Sequence, residues 1–295
     1  MAKLGRRRAQ NSEGEFYVDS SCIDCDTCRW LAPEVFCEAG DQSAVYHQPT
    51  SELQRQQALQ ALLACPTASI GTVHPPQDIQ AVQATFPLPV ADNVFYCGYH
   101  SEASYGAASY LILRPEGNIL IDSPRFAPPL IKRLEQLGGV RYLYLTHRDD
   151  VAEHQRFREH FGCERILHTA DIAADTRTVE IVLEGDAAIA FAPEVVILPV
   201  PGHTPGHTVL LYRQKFCFTG DHIAWSAARE RLVAFWDYCW YSRSELVRSV
   251  EKLLPYRFEW VLPGHGRRYH AQAEQMAEQM RLCLADLRAK SLVRS

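Results

Sequence analysis

Three cysteines at a strict interval, Cys22, Cys25 and Cys28, followed 37 positions later by Cys65-Pro66, constrain this 295-residue chain more than any other feature. Thiols spaced C-x2-C-x2-C must sit on backbone looped tightly around one object. A third cysteine in the run suits a cubane, whose irons each take one thiolate, with the fourth arriving from the distant C-P. A zinc ion would more naturally use two C-x2-C pairs or a cysteine–histidine mixture, and a third cysteine three positions on crowds a tetrahedral site. A disulfide framework is the remaining alternative. Pro66 then turns the chain away from whatever is bound.

Ten cysteines, with no apolar secretory h-region near the start, argue for a reducing, cytoplasmic setting rather than for disulfides. Six of them, Cys37, Cys97, Cys163, Cys217, Cys239 and Cys283, show no ligand spacing and are expected to be small buried residues. Hydrophobic content of 47% with 22% charged residues describes an ordinary globular chain, and no apolar run is long enough to span a bilayer. A net charge of -5 with interspersed signs gives no electrostatic footprint for nucleic acid. Composition shifts suggest a disordered basic tail over 1–14, an iron–sulfur domain over 15–73, a Pro- and Gln-rich linker over 74–89 and a larger domain over 90–295.

The stretches "VDSSCIDCDTCRWLAPEVF" and "ACPTASIGT" resemble the single-cluster bacterial ferredoxins. That resemblance implies an α+β ferredoxin-like domain holding one [4Fe-4S] cluster on Cys22, Cys25, Cys28 and Cys65. Two-cluster relatives carry another cysteine before the proline that follows the run. Here the position is Ala32, before Pro33, so one cluster is expected, and the presence of Cys25 favours four irons over three.

Beyond the linker, short apolar runs bounded by turn residues alternate with amphipathic stretches, the pattern of layered α/β structure. "SYLILR" and "NILID", joined by Pro-Glu-Gly, read as a hairpin, and helices are expected at about 127–137, 150–161, 243–254 and 271–287. Metal-ligand residue types recur where expected strands stop: His147 after "RYLYLT", His203 after "VVILPVPG", Asp221 after "KFCFTG" and His265 after "FEWVLPG". A lone histidine is usually a surface or satisfied core residue. Four such positions, three of them flanked by glycines that allow close backbone approach, carry more weight.

These elements, "DS", "TH", "GHTPGH", "GD" and "PGHG", resemble the metallo-β-lactamase superfamily, especially its glyoxalase II-like and flavodiiron branches. The resemblance implies a four-layer αββα sandwich with two metal ions at the sheet edge. Asp221 would bridge them, with His203 on the first, His265 on the second and Asp122 orienting a neighbour. The family's H-x-H-x-D-H motif is altered to "THRDDVAEH". A gapless alignment puts Asp149 at the second histidine and Val151-Ala152 at the final pair, which would abolish the second site. If a helix starts at Asp150, Asp150 and His154 lie on one face four residues apart and can share an ion. On that reading His147 and Asp149 serve the first metal, and Asp150 and His154 the second. The competing reading makes Asp150 and Glu153 a capping box.

A carboxylate in place of an imidazole hardens the ligand set and favours iron or manganese over zinc, with iron the first expectation for the two divalent ions. Together with the cluster it points to a small-molecule oxidoreductase, with a redox partner protein a further expectation. The alternative is a hydrolase of an ester, thioester or amide, with the cluster structural or regulatory, and on either reading Asp150 and His207 are the candidate catalytic groups. An electron carrier or iron sensor without turnover is the third reading. His207 and His222 are candidate proton donors or supports for the ligands. The run "AFWDYCWYS" is either a pocket floor or buried packing, and Tyr99 to Tyr110 a mobile, substrate-facing loop.

Overall fold

Between Cys22 and Cys28 the backbone enters the left-handed region twice, at Asp24 (φ 58°) and Asp26 (φ 62°). Both strained aspartates are gripped by one cation: Arg29 Nη1 lies 2.7 Å from Asp24 Oδ1, and Arg29 Nε 2.6 Å from Asp26 Oδ1. Charge-assisted bonds of this kind hold a conformation that non-glycine residues resist. From there helix α1 (Thr27–Leu31) leads away. The surrounding frame is small. Strand β1 (Phe16–Val18) precedes the loop, β2 (Phe36–Ala39) and β3 (Gln42–Val45) form a hairpin, and helix α2 (Glu52–Ala64) ends at Cys65. Strand β4 (Ile70–Thr72) then returns antiparallel to β1.

This computed structural model describes residues 2–293. The chain divides into two compact units, one of residues up to 141 with 152–163, the other of 142–151 with the residues from 164 onward.

Two expectations about the first unit are corrected. The basic segment before residue 15 is not a free tail. The Lys3 amide donates to Asp19 Oδ2 at 2.8 Å, and the Arg8 guanidinium donates to the Ser43 and Ala39 carbonyls at 2.6 and 2.8 Å. Those arginine donors are used on backbone acceptors, which composition alone does not reveal. Residues 74–89 are not a loose linker either. They include helix α3 (Ile79–Gln83), a two-pronged ion pair from Arg55 to Asp78 at 2.7 and 2.8 Å, and a fully buried Phe86 packed edge-on against Tyr99. Phe86 and Val82 supply the apolar anchors that the Pro and Gln content obscured.

The same unit continues through an antiparallel meander of β5 (Leu88–Ala91), β6 (Val94–Tyr96), β7 (Tyr110–Ile112) and β8 (Ile119–Ile121). The β7–β8 hairpin turns at Pro-Glu-Gly as the sequence indicates, with Gly117 at φ 109°. Helix α4 (Pro128–Gln136) starts on two prolines, which are pre-set for a first turn, and buries Leu130, Ile131 and Leu134. Residues 99–110 are largely buried, not a mobile loop, although Tyr105 is exposed.

In the second unit β9 (Tyr142–Tyr144) pairs in parallel with β10 (Glu164–His168), and β10 with β11 (Ile181–Leu183). Helix α5 (His154–Phe161), between them in sequence, belongs to the first unit. Strands β12 (Ile189–Ala192), β13 (Val195–Pro199), β14 (Thr208–Tyr212) and β15 (Phe216–Gly220) run antiparallel. A small hairpin of β16 (Ile223–Ser226) and β17 (Arg231–Ala234) follows. Helix α6 (Arg243–Leu253) is capped by Ser242, whose Oγ accepts from the Glu245 amide in a capping-box sequence. Next, β18 (Trp260–Pro263) lies parallel to β15, and β19 (Tyr269–His270) closes the edge. Helix α7 (Ala273–Val293) completes the unit. Its core joins Leu198, Val209 and Cys217 of the sheet to Leu246 and Val250 of α6 and Met276, Cys283 and Leu287 of α7. Of the six spare cysteines, Cys97, Cys163, Cys217 and Cys283 are buried as expected, while Cys37 and Cys239 are only partly so. No helix among the described residues is long and apolar enough to cross a membrane.

Candidate metal centre

Cys22, Cys25, Cys28 and Cys65 line one small cavity together with Thr27, Ser43 and Ser69. Donors already face the sulfurs. The Ser69 amide donates to Cys65 Sγ at 3.2 Å, and Thr27 Oγ1 lies 3.4 Å from Cys25 Sγ. Burial pushes the Cys25 thiol up to about 11 and raises that of Cys28 further, each aggravated by the neighbouring cysteines. Cys25 and Cys28 thus resist ionising by themselves, and a metal cluster that brings its own positive charge would convert them to thiolates. The residues present therefore fit a [4Fe-4S] cluster.

In the second unit the strand ends carry a second group of donors. The loop after β9 is tied to the start of β14, because the Thr208 amide donates to the Thr146 carbonyl at 2.9 Å and the Tyr144 hydroxyl to Thr208 Oγ1 at 2.7 Å. This sets His147 beside the Gly202–His207 loop. Two clusters of candidate donor atoms result, each within 4.8 Å: His147, Asp149 and His203, and His147, Asp150 and Asp221. His265 belongs with the latter, its Nε2 3.8 Å from both Asp150 Oδ1 and Asp221 Oδ2. His203 Nε2 is 3.2 Å from Asp149 Oδ2 and 3.8 Å from Asp221 Oδ2, so Asp221 stands between the two groups.

The imidazoles are oriented for lone-pair donation. His203 Nδ1–H donates to the Tyr238 carbonyl at 2.6 Å, which turns Nε2 toward Asp149 and Asp221, where a cation would take the place of the proton that Nε2 shares with Asp149. His147 Nδ1 lies 2.9 Å from Thr146 Oγ1, and its buried Nε2 has no hydrogen bond, nor has Asp221 Oδ1. Burial, opposed by Asp221, lowers His147 to about 4. Burial also works against charge on His203, but Asp149, Asp221 and the Tyr238 carbonyl outweigh it and raise its pKa. The hydrogen bond from His203 holds the Asp149 carboxyl below its usual range. A buried carboxylate oxygen and a buried imidazole nitrogen, both unpartnered and aimed at the same point, fit divalent cations.

Several assignments change. Asp150 reaches the donor group, but not from a helix: α5 begins only at His154, and Glu153, its N-cap, makes no side-chain capping bond. Asp150 therefore does not share a helical face with His154, and Glu153 returns no capping-box bond, because the chain between Asp150 and His154 makes an irregular turn. His154 is buried and enters neither donor cluster. His207 is fully buried and its Nε2 accepts the Asp221 amide proton at 3.1 Å, so it orients that carboxylate. His222 is equally enclosed, and burial lowers it to about 3. Asp122 is buried at the end of β8 in left-handed backbone (φ 54°). In "AFWDYCWYS" Ala234 and Trp236 are core. Tyr238, Trp240 and Tyr241 are 60%, 63% and 55% exposed, while the Trp240 and Tyr241 amides pin the segment to the His203 carbonyl, each at 3.1 Å.

One residue that the sequence did not single out organises the site. Asp171 Oδ1 accepts the Gly206 amide at 2.7 Å, and Oδ2 accepts the Thr204 hydroxyl at 2.5 Å and the Arg148 amide at 3.1 Å. It thus clamps the His147 loop to the His203 loop. Gly206 is required here, since a Cβ would lie 2.6 Å from the Asp171 nitrogen. Gly264 meets a similar limit, with Asp150 Oδ2 and Asp221 Oδ1 at 2.8 and 3.0 Å from the Cβ it lacks.

Residues 18–72 match the family model of the 4Fe-4S single cluster domain of ferredoxin I. Solved structures, the DIM-1 metallo-β-lactamase among them, share the fold of the rest. VMB-1 superposes with a TM-score of 0.52 at 15% identity over 69% of this chain and 96% of its own, and DIM-1 with 0.53 at 16% over 67% and 95%. The chain joins a single-cluster ferredoxin domain to a metallo-β-lactamase fold. A hydroxyacylglutathione hydrolase of Rhizobium etli is 29% identical over 104 residues, 34% of this chain. The match spans about two fifths of that relative, 41% of its length. The comparisons thus give a 4Fe-4S single-cluster domain at residues 18–72 and the metallo-β-lactamase fold for the rest.

Proposed function

We propose that this protein is a metal-dependent hydrolase of an ester or thioester, with its metals held by His147, Asp149, His203, Asp150, Asp221 and His265. The observation that carries the reading is the gathering of three imidazoles and two further carboxylates with Asp221, whose buried Oδ1 has no hydrogen-bonding partner among the described residues. Divalent ions at such donors supply Lewis acidity and lower the pKa of water toward neutrality. The protein does the rest. His207 and the Tyr238 carbonyl fix the orientation of Asp221 and His203, and Asp171 holds the two loops together. The hydrolase-like fold and the partial likeness to a hydroxyacylglutathione hydrolase support a thioester as the first substrate class to try.

One observation favours a redox reading beside it. Half of the donors are carboxylates, a harder set that suits iron and would let a cluster exchange single electrons with it. Anaerobically purified protein, assayed for metals and sulfide and then for turnover of S-acyl thioesters and aryl esters, decides between them. Thioester or ester hydrolysis that survives oxidative loss of the cluster and disappears in Asp150→Asn supports the hydrolase. Iron at both positions, with no hydrolysis of any ester, would overturn it.

A further inference from the structure

The segment between β6 and β7 carries a histidine that the proposed hydrolysis does not use. His100 is buried, with Nδ1 3.1 Å from Thr27 Oγ1 and Nε2 2.6 Å from the Tyr96 hydroxyl. Its amide donates to the carbonyl of Ala64 at 3.2 Å, one residue before Cys65. Thr27 in turn lies 3.4 Å from Cys25 Sγ. The approach is close throughout: a Cβ on Gly106 would stand 3.1 Å from that of Cys25.

The chemistry of the far end sets the order of protons along this chain. Sulfur bound to iron is a thiolate and only accepts, so the Thr27 hydroxyl donates to it. Thr27 Oγ1 is then free to accept His100 Nδ1–H, and the neutral ring's Nε2 accepts the Tyr96 O–H. Every polar atom in the row is satisfied by that one arrangement.

We propose that His100, acting through Thr27, aims a hydroxyl at the Cys25 sulfur and so holds the cluster's reduction potential more positive than the four cysteines alone would. Hydrogen bonds to cluster sulfurs stabilise the reduced, more negative state and are one of the determinants of potential. His100 is a positioning residue, and the inference rests on the cluster, not on the hydrolytic reading.

The test is a potentiometric titration of the full-length holoprotein, followed by electron paramagnetic resonance. Thr27→Val and His100→Ala each shift the midpoint to more negative values, the double variant shifts no further than Thr27→Val, and Thr27→Ser stays at the native value. A mere cavity that admitted water would move the midpoint the other way, because solvent access also stabilises the more charged state. An unshifted Thr27→Val overturns the proposal, as does a His100→Ala shift that persists in the Thr27→Val background. If His100→Ala fails to assemble a cluster, the comparison of Thr27→Val with Thr27→Ser decides alone.

Discussion

Replacing Asp171 by Asn tests whether the metal loops are held together by one carboxylate. The substitution is nearly isosteric, but an amide has a single acceptor oxygen where the carboxylate serves three donors, the Gly206 and Arg148 amides and the Thr204 hydroxyl. Whichever way the amide turns, its NH2 faces at least one backbone N–H. The Thr204 hydroxyl can rotate away, but an amide cannot. Losing one charged hydrogen bond costs about 1.5–3 kcal/mol, and leaving a buried N–H unpaired adds about 1–3 kcal/mol. A central value of about 3 kcal/mol corresponds to a fall of roughly 6–12 °C in Tm for a unit of this size. Because the clamp orients ligands that it does not itself supply, metal affinity should fall about 10–100-fold while the cluster stays intact. Calorimetry paired with metal analysis after dialysis against graded chelator measures both. A melting point within about a degree of native, with unchanged metal retention, would refute the clamp.

Asp221→Ala should remove the metals of the second unit while leaving four irons and four sulfides per chain, an outcome read directly by elemental analysis. Arg29→Ala releases the two left-handed aspartates between the cysteines. It should cost about 1–2 kcal/mol after allowance for the solvent-exposed Asp24, seen as faster bleaching of the cluster by chelator. Acid should free the segment before residue 15. Burial opposes ionisation of Asp19, but its bonds from Ser21 and Lys3 prevail and lower its pKa. The stability it contributes is present above the unfolded value of about 3.9 and lost as pH falls through the lower folded one. Hydrogen exchange at the Lys3 amide should accelerate across that window, and in Asp19→Asn it should be fast already at neutral pH.

The cluster segment was legible because cubane geometry dictates local spacing, so Cys22, Cys25 and Cys28 announce themselves within seven residues. His147, His203, Asp221 and His265 were legible for a related reason: each ends a strand beside a glycine or a sharp turn, and sheets deliver such ends to one edge. Asp150 was named from an element that does not form, since helical spacing was assumed where the backbone makes an irregular turn before His154. Asp171 was invisible. It lies in "HTADIAAD", and its partners Thr204 and Gly206 are 33 and 35 residues away, a pairing that only tertiary folding creates. The supposed linker failed similarly, because low apolar density hid the one phenylalanine that matters.

Phe86 against Tyr99, Trp30 against Tyr96, and the Arg125 side chain on the Leu63 carbonyl make the seam between the ferredoxin segment and the meander a continuous interior. A substitution on one side of that seam therefore changes what is tolerated on the other. The ferredoxin cannot be exchanged for a foreign one by splicing at the Pro- and Gln-rich stretch, however interchangeable such modules look on paper.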